Sequence, residues 1–131
     1  VVIAAAGNEG PKARPAYPAA QDGVIAVTAT DHKDRLYKRA NQGDYISVAA
    51  PGVDILGAKP GGSYDFFSGT SMATGYVTGL AALLMATDNA LSVTQLRKVV
   101  EGTAVDLGAP PRDPIFGAGR IDAASAIDQL P

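Results

Sequence analysis

Two runs of small and polar residues carry the chemistry this sequence has to offer. The first is Phe67-Ser68-Gly69-Thr70-Ser71-Met72-Ala73, a tight turn that leads straight into a long apolar stretch. A serine in the first turn of a helix lies at the positive end of the macrodipole, beside backbone N–H groups without a helical partner. Negative charge that develops during acyl transfer is stabilised in such a place. Ser and Thr are also the favoured helix caps, so position alone leaves capping open as the role of Ser71. The second run is Ala4-Ala5-Ala6-Gly7-Asn8-Glu9-Gly10, where an apolar strand gives way to Gly and Asn. Sites in open α/β sheets gather at the carboxyl ends of strands, where Asn8 could offer its amide. An Asx-turn would account for the same residue.

The rest of the sequence removes other chemistries. There is no Cys, hence no disulfide, thiolate zinc site or cysteine nucleophile, and the single His, His32, excludes a His-rich metal centre. His32 belongs to the charged run Asp31-His32-Lys33-Asp34-Arg35 and reads as a solvated loop residue. The 131 residues carry 11 Lys+Arg against 13 Asp+Glu, a net charge of -2 without the basic stripe of a nucleic-acid surface. No apolar run approaches the roughly 20 residues of a membrane span. The acids are scattered, with no Asp-x-Asp loop of the calcium-binding type. Gly117-Ala118-Gly119 lacks the third glycine and preceding strand of a dinucleotide loop. A nucleotide-binding α/β domain is a reading that rests on fold class and lacks a phosphate loop. Nor is Gly69-Thr70-Ser71-Met72-Ala73 the G-x-S-x-G of an α/β-hydrolase elbow.

These residues need a scaffold. Residues 1–6, 24–30 and 45–50 are β-branched, nearly continuous apolar runs, the pattern of parallel strands buried on both faces. Their connections, residues 7–23 and 31–44, are long enough for parallel crossovers but show no helical period. Residues 71–87 predict a helix apolar almost all round, in which Gly75 and Gly79 would admit another backbone. Residues 92–101 open on a capping box, Ser92 and Gln95, with Leu91 and Leu96 at the staple positions and Gly102 as a stop. Residues 121–130 predict a third helix capped by Asp122, with Ala126, Ile127 and Leu130 on one side. Three buried strands and a buried helix need more cover than two amphipathic helices supply. The balance is expected from residues upstream of Val1 or from another chain.

Taken together, VVIAAAGNEG, the YPAA and VIAVTAT stretch, VAAPG, FSGTSMA and the closing GAGRIDAASAI resemble the subtilisin-like serine proteases, the subtilase family. The resemblance covers nearly the whole chain, in motif order and spacing. It implies an α/β fold, a mostly parallel sheet with helices on both faces, of which residues 1–131 would be the C-terminal half of the catalytic domain. It implies peptide-bond hydrolysis through an acyl-enzyme on Ser71, with the Asn8 amide and the Ser71 N–H stabilising the oxyanion. Ala5, Ala6 and Gly7 would form one wall of the primary specificity pocket. Ala16, where the family usually has Gly, would make its floor shallower and favour small or medium apolar side chains. Secretion, to an extracellular or periplasmic location, follows from the family alone. The resemblance also allows calcium, bound through carbonyls of the loop at residues 19–24, which leaves no side-chain signature.

Two departures stand out. The family's triad runs Asp, His, Ser, and only the Ser has a match here. The other two are expected from a missing N-terminal half, and this chain alone is expected to be inactive. After GTSMA the family continues with a small residue, Pro and His, whereas this chain has Thr74-Gly75-Tyr76. The lost Pro removes a rigid element, and Tyr76 would have to fit where a smaller ring was. That departure supports the alternative of a non-catalytic pseudoprotease or binding module.

Overall fold

A computed structural model describes residues 1–130. Strands β1 (Ile3–Ala5), β2 (Ile25–Thr30) and β3 (Ile46–Pro51) form a parallel sheet in that order. Ile3 pairs with Ile25, and Val27 with Val48. The β2–β3 register shifts between Ala26 and Val27, which leaves Ser47 without an opposite residue. Its hydroxyl accepts the Ala26 N–H at 3.1 Å, so that donor keeps a partner at the bulge. All of β2 and all but the last residue of β3 are buried, which is why their sequences run apolar without alternation. The outer edge of β3 is covered, since Ala118 donates to the Ser47 carbonyl and Ile121 to the Ala49 carbonyl.

β1 departs from the expectation of a strand buried on both faces. It is half-buried at the sheet edge, and Val1 and Val2 ahead of it are 49% and 54% exposed. Helix α1 (Thr70–Thr87) lies against all three strands. It is not buried all round either: Thr70, Ala73, Val77, Leu80, Ala81 and Leu84 form one buried stripe, while Tyr76, Leu83 and Met85 are exposed. The sequence reading overestimated its burial because apolar residues occupy both faces and no periodicity separates them. Gly75 and Gly79 meet no other backbone, and a Cβ on either would have open space around it.

Helix α2 (Val93–Gly102) has the expected capping box, Ser92 accepting the Gln95 N–H and the Gln95 side chain accepting the Ser92 N–H. Leu96 and Val100 enter the core, with Leu91 packed against them. Helix α3 (Ala123–Asp128) starts at Asp122, whose carboxylate accepts the Ser125 N–H and is held below its usual pKa chiefly by that bond. The core joins Ile25, Val27 and Val48 of the sheet to Val77, Leu84, Leu96, Val100 and Ala126 of the helices.

One element went unread in the sequence. Strands β4 (Ile55–Lys59) and β5 (Ser63–Phe67) form an antiparallel hairpin ahead of α1, turning through Gly61 and Gly62 at positive φ. Pro60-Gly61-Gly62 between two five-residue runs was the available signal. The hairpin carries the chain into the turn at Ser68.

Candidate active site

The turn after β1 is fixed by Asn41, a polar residue only 1% exposed. Its backbone N–H donates to the Gly7 carbonyl at 3.0 Å. Its Oδ1 accepts the Glu9 N–H at 2.9 Å, and its Nδ2 donates to the Arg14 carbonyl at 3.4 Å. Gly7 has φ +112°, and a Cβ there would run into the Asn41 amide, so the position needs Gly twice over. The turn before α1 is set by a second close approach. Gly69 N–H donates to the Gly52 carbonyl at 2.7 Å, and a Cβ on Gly52 would stand 2.7 Å from the Gly69 carbonyl oxygen.

Between these turns lies Thr70, fully buried. Its N–H and its hydroxyl both donate to Asn8 Oδ1, at 2.9 and 3.0 Å. The same hydroxyl accepts the Gly7 N–H at 3.3 Å. Asn8 and Ser71, read from separate runs of sequence, are thus brought to one place by the residue between them. The donors of the first turn of α1 can be followed one by one. Gly69 N–H goes to Gly52, Thr70 N–H to Asn8, and Met72 N–H to the Gly69 carbonyl at 3.1 Å. The Ser71 N–H is left over. With Asn8 Oδ1 committed to Thr70, the Asn8 Nδ2 is likewise without an acceptor among the described residues. Two N–H donors are therefore unclaimed, one on Ser71 itself, whose side chain is exposed, and one on the amide bound to its neighbour Thr70.

Sequence reasoning missed Thr70 as more than part of a motif. Its signal was weak, because a Thr at a helix start reads first as a cap. Thr70→Val keeps the shape and removes the hydroxyl, leaving Asn8 held by one donor instead of two. In a working enzyme kcat is expected to fall about tenfold or less, the worth of one hydrogen bond, with KM little changed. Steady-state kinetics beside thermal unfolding separate this positioning effect from a loss of stability.

The residues expected to shape a specificity pocket also come together, around a residue not anticipated. The Tyr45 hydroxyl donates to the Ala6 carbonyl at 2.7 Å. Burial pushes its pKa up, partly opposed by the Ala16 backbone and the Asn41 side chain beside it. Ala16 and Ala6 thus share one phenol. Ala5 and Gly7 are half-buried, whereas Ala6 is fully buried and has no surface of its own to offer.

Three other expectations can be placed. His32 is exposed in the turn where the Asp31 carboxylate accepts the Lys33 and Arg35 N–H groups. Arg35 pairs with Asp31 and holds that carboxyl down at about 2. Tyr76 is 47% exposed, so its ring is not forced into a smaller space. α1 runs unbroken through Thr74, whose hydroxyl donates to the Thr70 carbonyl at 2.8 Å. The loop at 19–24, where the resemblance allowed calcium, holds a guanidinium. Arg97 Nη1 donates to the Val24 carbonyl at 3.3 Å, Nη2 to Ser47 Oγ at 3.1 Å, and Nε to Glu101 at 2.9 Å. Arg112 lines the same groove. The Val24 carbonyl thus already faces a cation, in a groove that Asp22 and Asp44 also line.

Comparison with known proteins gives this arrangement a family. The subtilase family profile matches residues 1–119. Halolysin of Haloferax mediterranei is 42% identical over the whole chain, which spans 25% of that protein. The thermophilic serine proteinase of Bacillus sp. strain AK1 is 41% identical over 97% of the chain, 30% of its own length. Subtilisin of Bacillus pumilus is 38% identical over 96% of the chain and 46% of its own length. Among solved structures, fervidolysin from Fervidobacterium pennivorans superposes with a TM-score of 0.89 at 33% identity, over 99% of this chain and 23% of that one. The prenylagaramide maturation protease PagA superposes at 0.86 and 33%, over 98% and 50%. The chain belongs to the subtilase family, with its subtilisin-like α/β fold. It spans less than half the length of these curated relatives.

Proposed function

We propose that this chain is the nucleophile-bearing half of a subtilisin-type serine endopeptidase domain, which cleaves peptide bonds once an N-terminal segment supplies the Asp and His. The observation that carries the reading is the pair of unclaimed donors, Asn8 Nδ2 and the Ser71 N–H, beside the exposed Ser71 hydroxyl. Ser71 Oγ attacks the scissile carbonyl, its proton passing to the histidine base, and the C=O pair moves onto oxygen as an oxyanion held by the two donors. The tetrahedral adduct collapses, the C–N bond breaks, and the amine leaves with the histidine's proton. Water then repeats the attack on the acyl-enzyme and releases the acid. Without the histidine, Ser71 is a poor nucleophile near neutral pH, so the chain alone is inactive.

The unpaired edge of β1 fits such a segment. Beside it Val1, Val2, Ile3, Thr78, Ala81, Ala82 and Met85 line an apolar groove of about 450 Å³. Substrates are peptides or proteins. The extracellular location stated in the names of two relatives, from Natrialba magadii and Bacillus subtilis, is the location we assign here. No helix among the described residues is long and apolar enough to cross a membrane. The test is reaction of the assembled protein with a serine-reactive fluorophosphonate, read by intact mass. A Ser71 adduct is expected. Its absence, in a protein that carries the segment and is folded, would favour the pseudoprotease reading, to which Thr74-Gly75-Tyr76 lends its support.

We also propose that Arg97, not a metal ion, is the partner of the Val24 carbonyl in the loop at 19–24. Arg97→Met removes three hydrogen bonds made by a half-buried cation and leaves Glu101 less well paired. It is expected to lower stability by about 1–3 kcal/mol. Thermal unfolding of the unmodified protein is expected to be indifferent to a calcium chelator as far as this loop is concerned. A calcium-dependent shift that persists when carbonyl ligands elsewhere are left intact but the 19–24 loop is altered would locate the ion elsewhere. One lost on altering that loop would refute the assignment.

A further inference from the structure

We infer that the loops around Asn8 form a cationic collar that favours substrates with acidic side chains beside the scissile bond. This rests on the protease reading above and adds the chemistry of the substrate. Of the 11 Lys and Arg residues, Arg35, Lys59, Arg97, Arg112 and Arg120 lie within 4 Å of a carboxylate. Among the described residues the other cations have no carboxylate at that distance. Four of them, Lys12, Arg14, Lys38 and Arg39, are carried by two loops that backbone hydrogen bonds clamp together immediately beyond Asn8. The Gly10 N–H donates to the Arg39 carbonyl at 2.9 Å. The Arg14 carbonyl accepts Asn41 Nδ2 at 3.4 Å, and the Gly7 carbonyl accepts the Asn41 N–H at 3.0 Å. All four cations are exposed.

The carboxylates near the collar are engaged or turned to other groups rather than paired with its four cations. Glu9 is the carboxylate nearest in sequence to Asn8, whose N–H it accepts at 3.0 Å. Asp31 and Asp34 in the adjoining turn are taken by Arg35 and Arg120. Asp22 and Asp44 line the separate groove that contains Arg97 and Arg112, and Asp54 accepts the Ser68 hydroxyl at 3.4 Å. The chain as a whole is negative, at -2, yet four of the six cations without a carboxylate partner are gathered here, Lys33 and Lys98 being the other two. Lys38 further lines a groove of about 510 Å³ with Leu36, Tyr37, Val53, Asp54 and Ser68, the last of which opens the turn that carries Ser71. A peptide lying across Ser71 therefore passes free ammonium and guanidinium groups. These attract carboxylates on approach and in the bound state, and salt screens the attraction.

The experiment compares peptide pairs differing only in Glu or Gln at the positions flanking the cleaved bond, in the assembled enzyme. Each exposed pair contributes up to about fivefold, so two engaged cations give up to about 25-fold in kcat/KM at low salt. The preference is expected to collapse between about 10 mM and about 1 M salt, as the Debye length falls from roughly 30 to 3 Å. It is also expected to vanish in a variant combining Lys12→Gln, Arg14→Gln, Lys38→Gln and Arg39→Gln, which leaves cleavage of the Gln peptides unchanged. Equal cleavage of both peptides at low salt, or a preference that survives in the variant, overturns the inference while leaving the protease reading intact. If the protein neither labels with fluorophosphonate nor cleaves, fluorescence anisotropy of the same labelled peptides decides. Tighter binding of the Glu peptide, lost in the variant, supports the collar without the protease. Equal binding, or tighter binding of a single-stranded oligonucleotide than of the Glu peptide, overturns it.

Discussion

Ser71→Ala is expected to abolish acylation. In the assembled domain kcat should fall by about 10⁶, the scale on which serine triads lose activity with their nucleophile. What remains, about 10³–10⁴ over water, would be the work of the two donors and of substrate binding. The substitution should leave the fold untouched. Ser71 is exposed, and among the described residues its hydroxyl enters no hydrogen bond, so nothing structural depends on it. This is what separates the nucleophile from a cap. A capping Ser lost to Ala destabilises its helix by about 1 kcal/mol, whereas here thermal unfolding should not move. The combined readout is therefore decisive. Lost turnover with unchanged stability supports catalysis by Ser71, and unchanged turnover ends the reading.

Asn8 makes the second large effect, and two variants divide its two jobs. Asn8→Ala removes the amide donor and also the oxygen that caps Thr70 N–H. Turnover is expected to fall about 10²–10³ through loss of the oxyanion donor. Stability should fall by about 1 kcal/mol through loss of the cap. Asn8→Asp keeps an oxygen facing Thr70 and replaces the donor with an acceptor of the wrong sign. It should cost at least as much in turnover and much less in stability. KM should change little in either, because the donors meet an oxyanion that the bound substrate has not yet formed. A kcat reduced less than about tenfold in both variants would exclude Asn8 from oxyanion stabilisation.

The parallel strands, α2 and α3 were legible because their signals are local. β-branched runs of buried length, Ser92 with Gln95, and Asp122 ahead of an apolar face each declare an element within a few residues. Ser71 and Asn8 were legible as a pair only through the family resemblance, since taken alone the first reads as a cap and the second as a turn residue. What escaped was decided by distant contacts. Thr70, Asn41 and Tyr45 tie together segments 63, 34 and 39 positions apart, from Gly7 to Thr70, Gly7 to Asn41 and Ala6 to Tyr45. No window of sequence contains such pairs. The hairpin of β4 and β5 escaped for another reason. Its Leu56, Tyr64 and Phe66 are 60%, 73% and 65% exposed, so no buried face imposed a clean alternation on either strand.

Helix α1 begins at Gly69, which has no side chain with which to cap it. The group that takes the place of a local cap is Asn8 Oδ1, 62 positions earlier in the chain. An isolated α1 peptide therefore lacks a cap worth about 1 kcal/mol, and its first turn is fully held once β1 has docked on the sheet. Nucleation of this helix end and assembly of the site are then one event, late in folding because it must await a long loop closure. The Thr70 amide becomes its reporter. Its hydrogen exchange should follow the detachment of β1 rather than fraying of the helix, so a loosened sheet edge would register first as fast exchange beside Ser71.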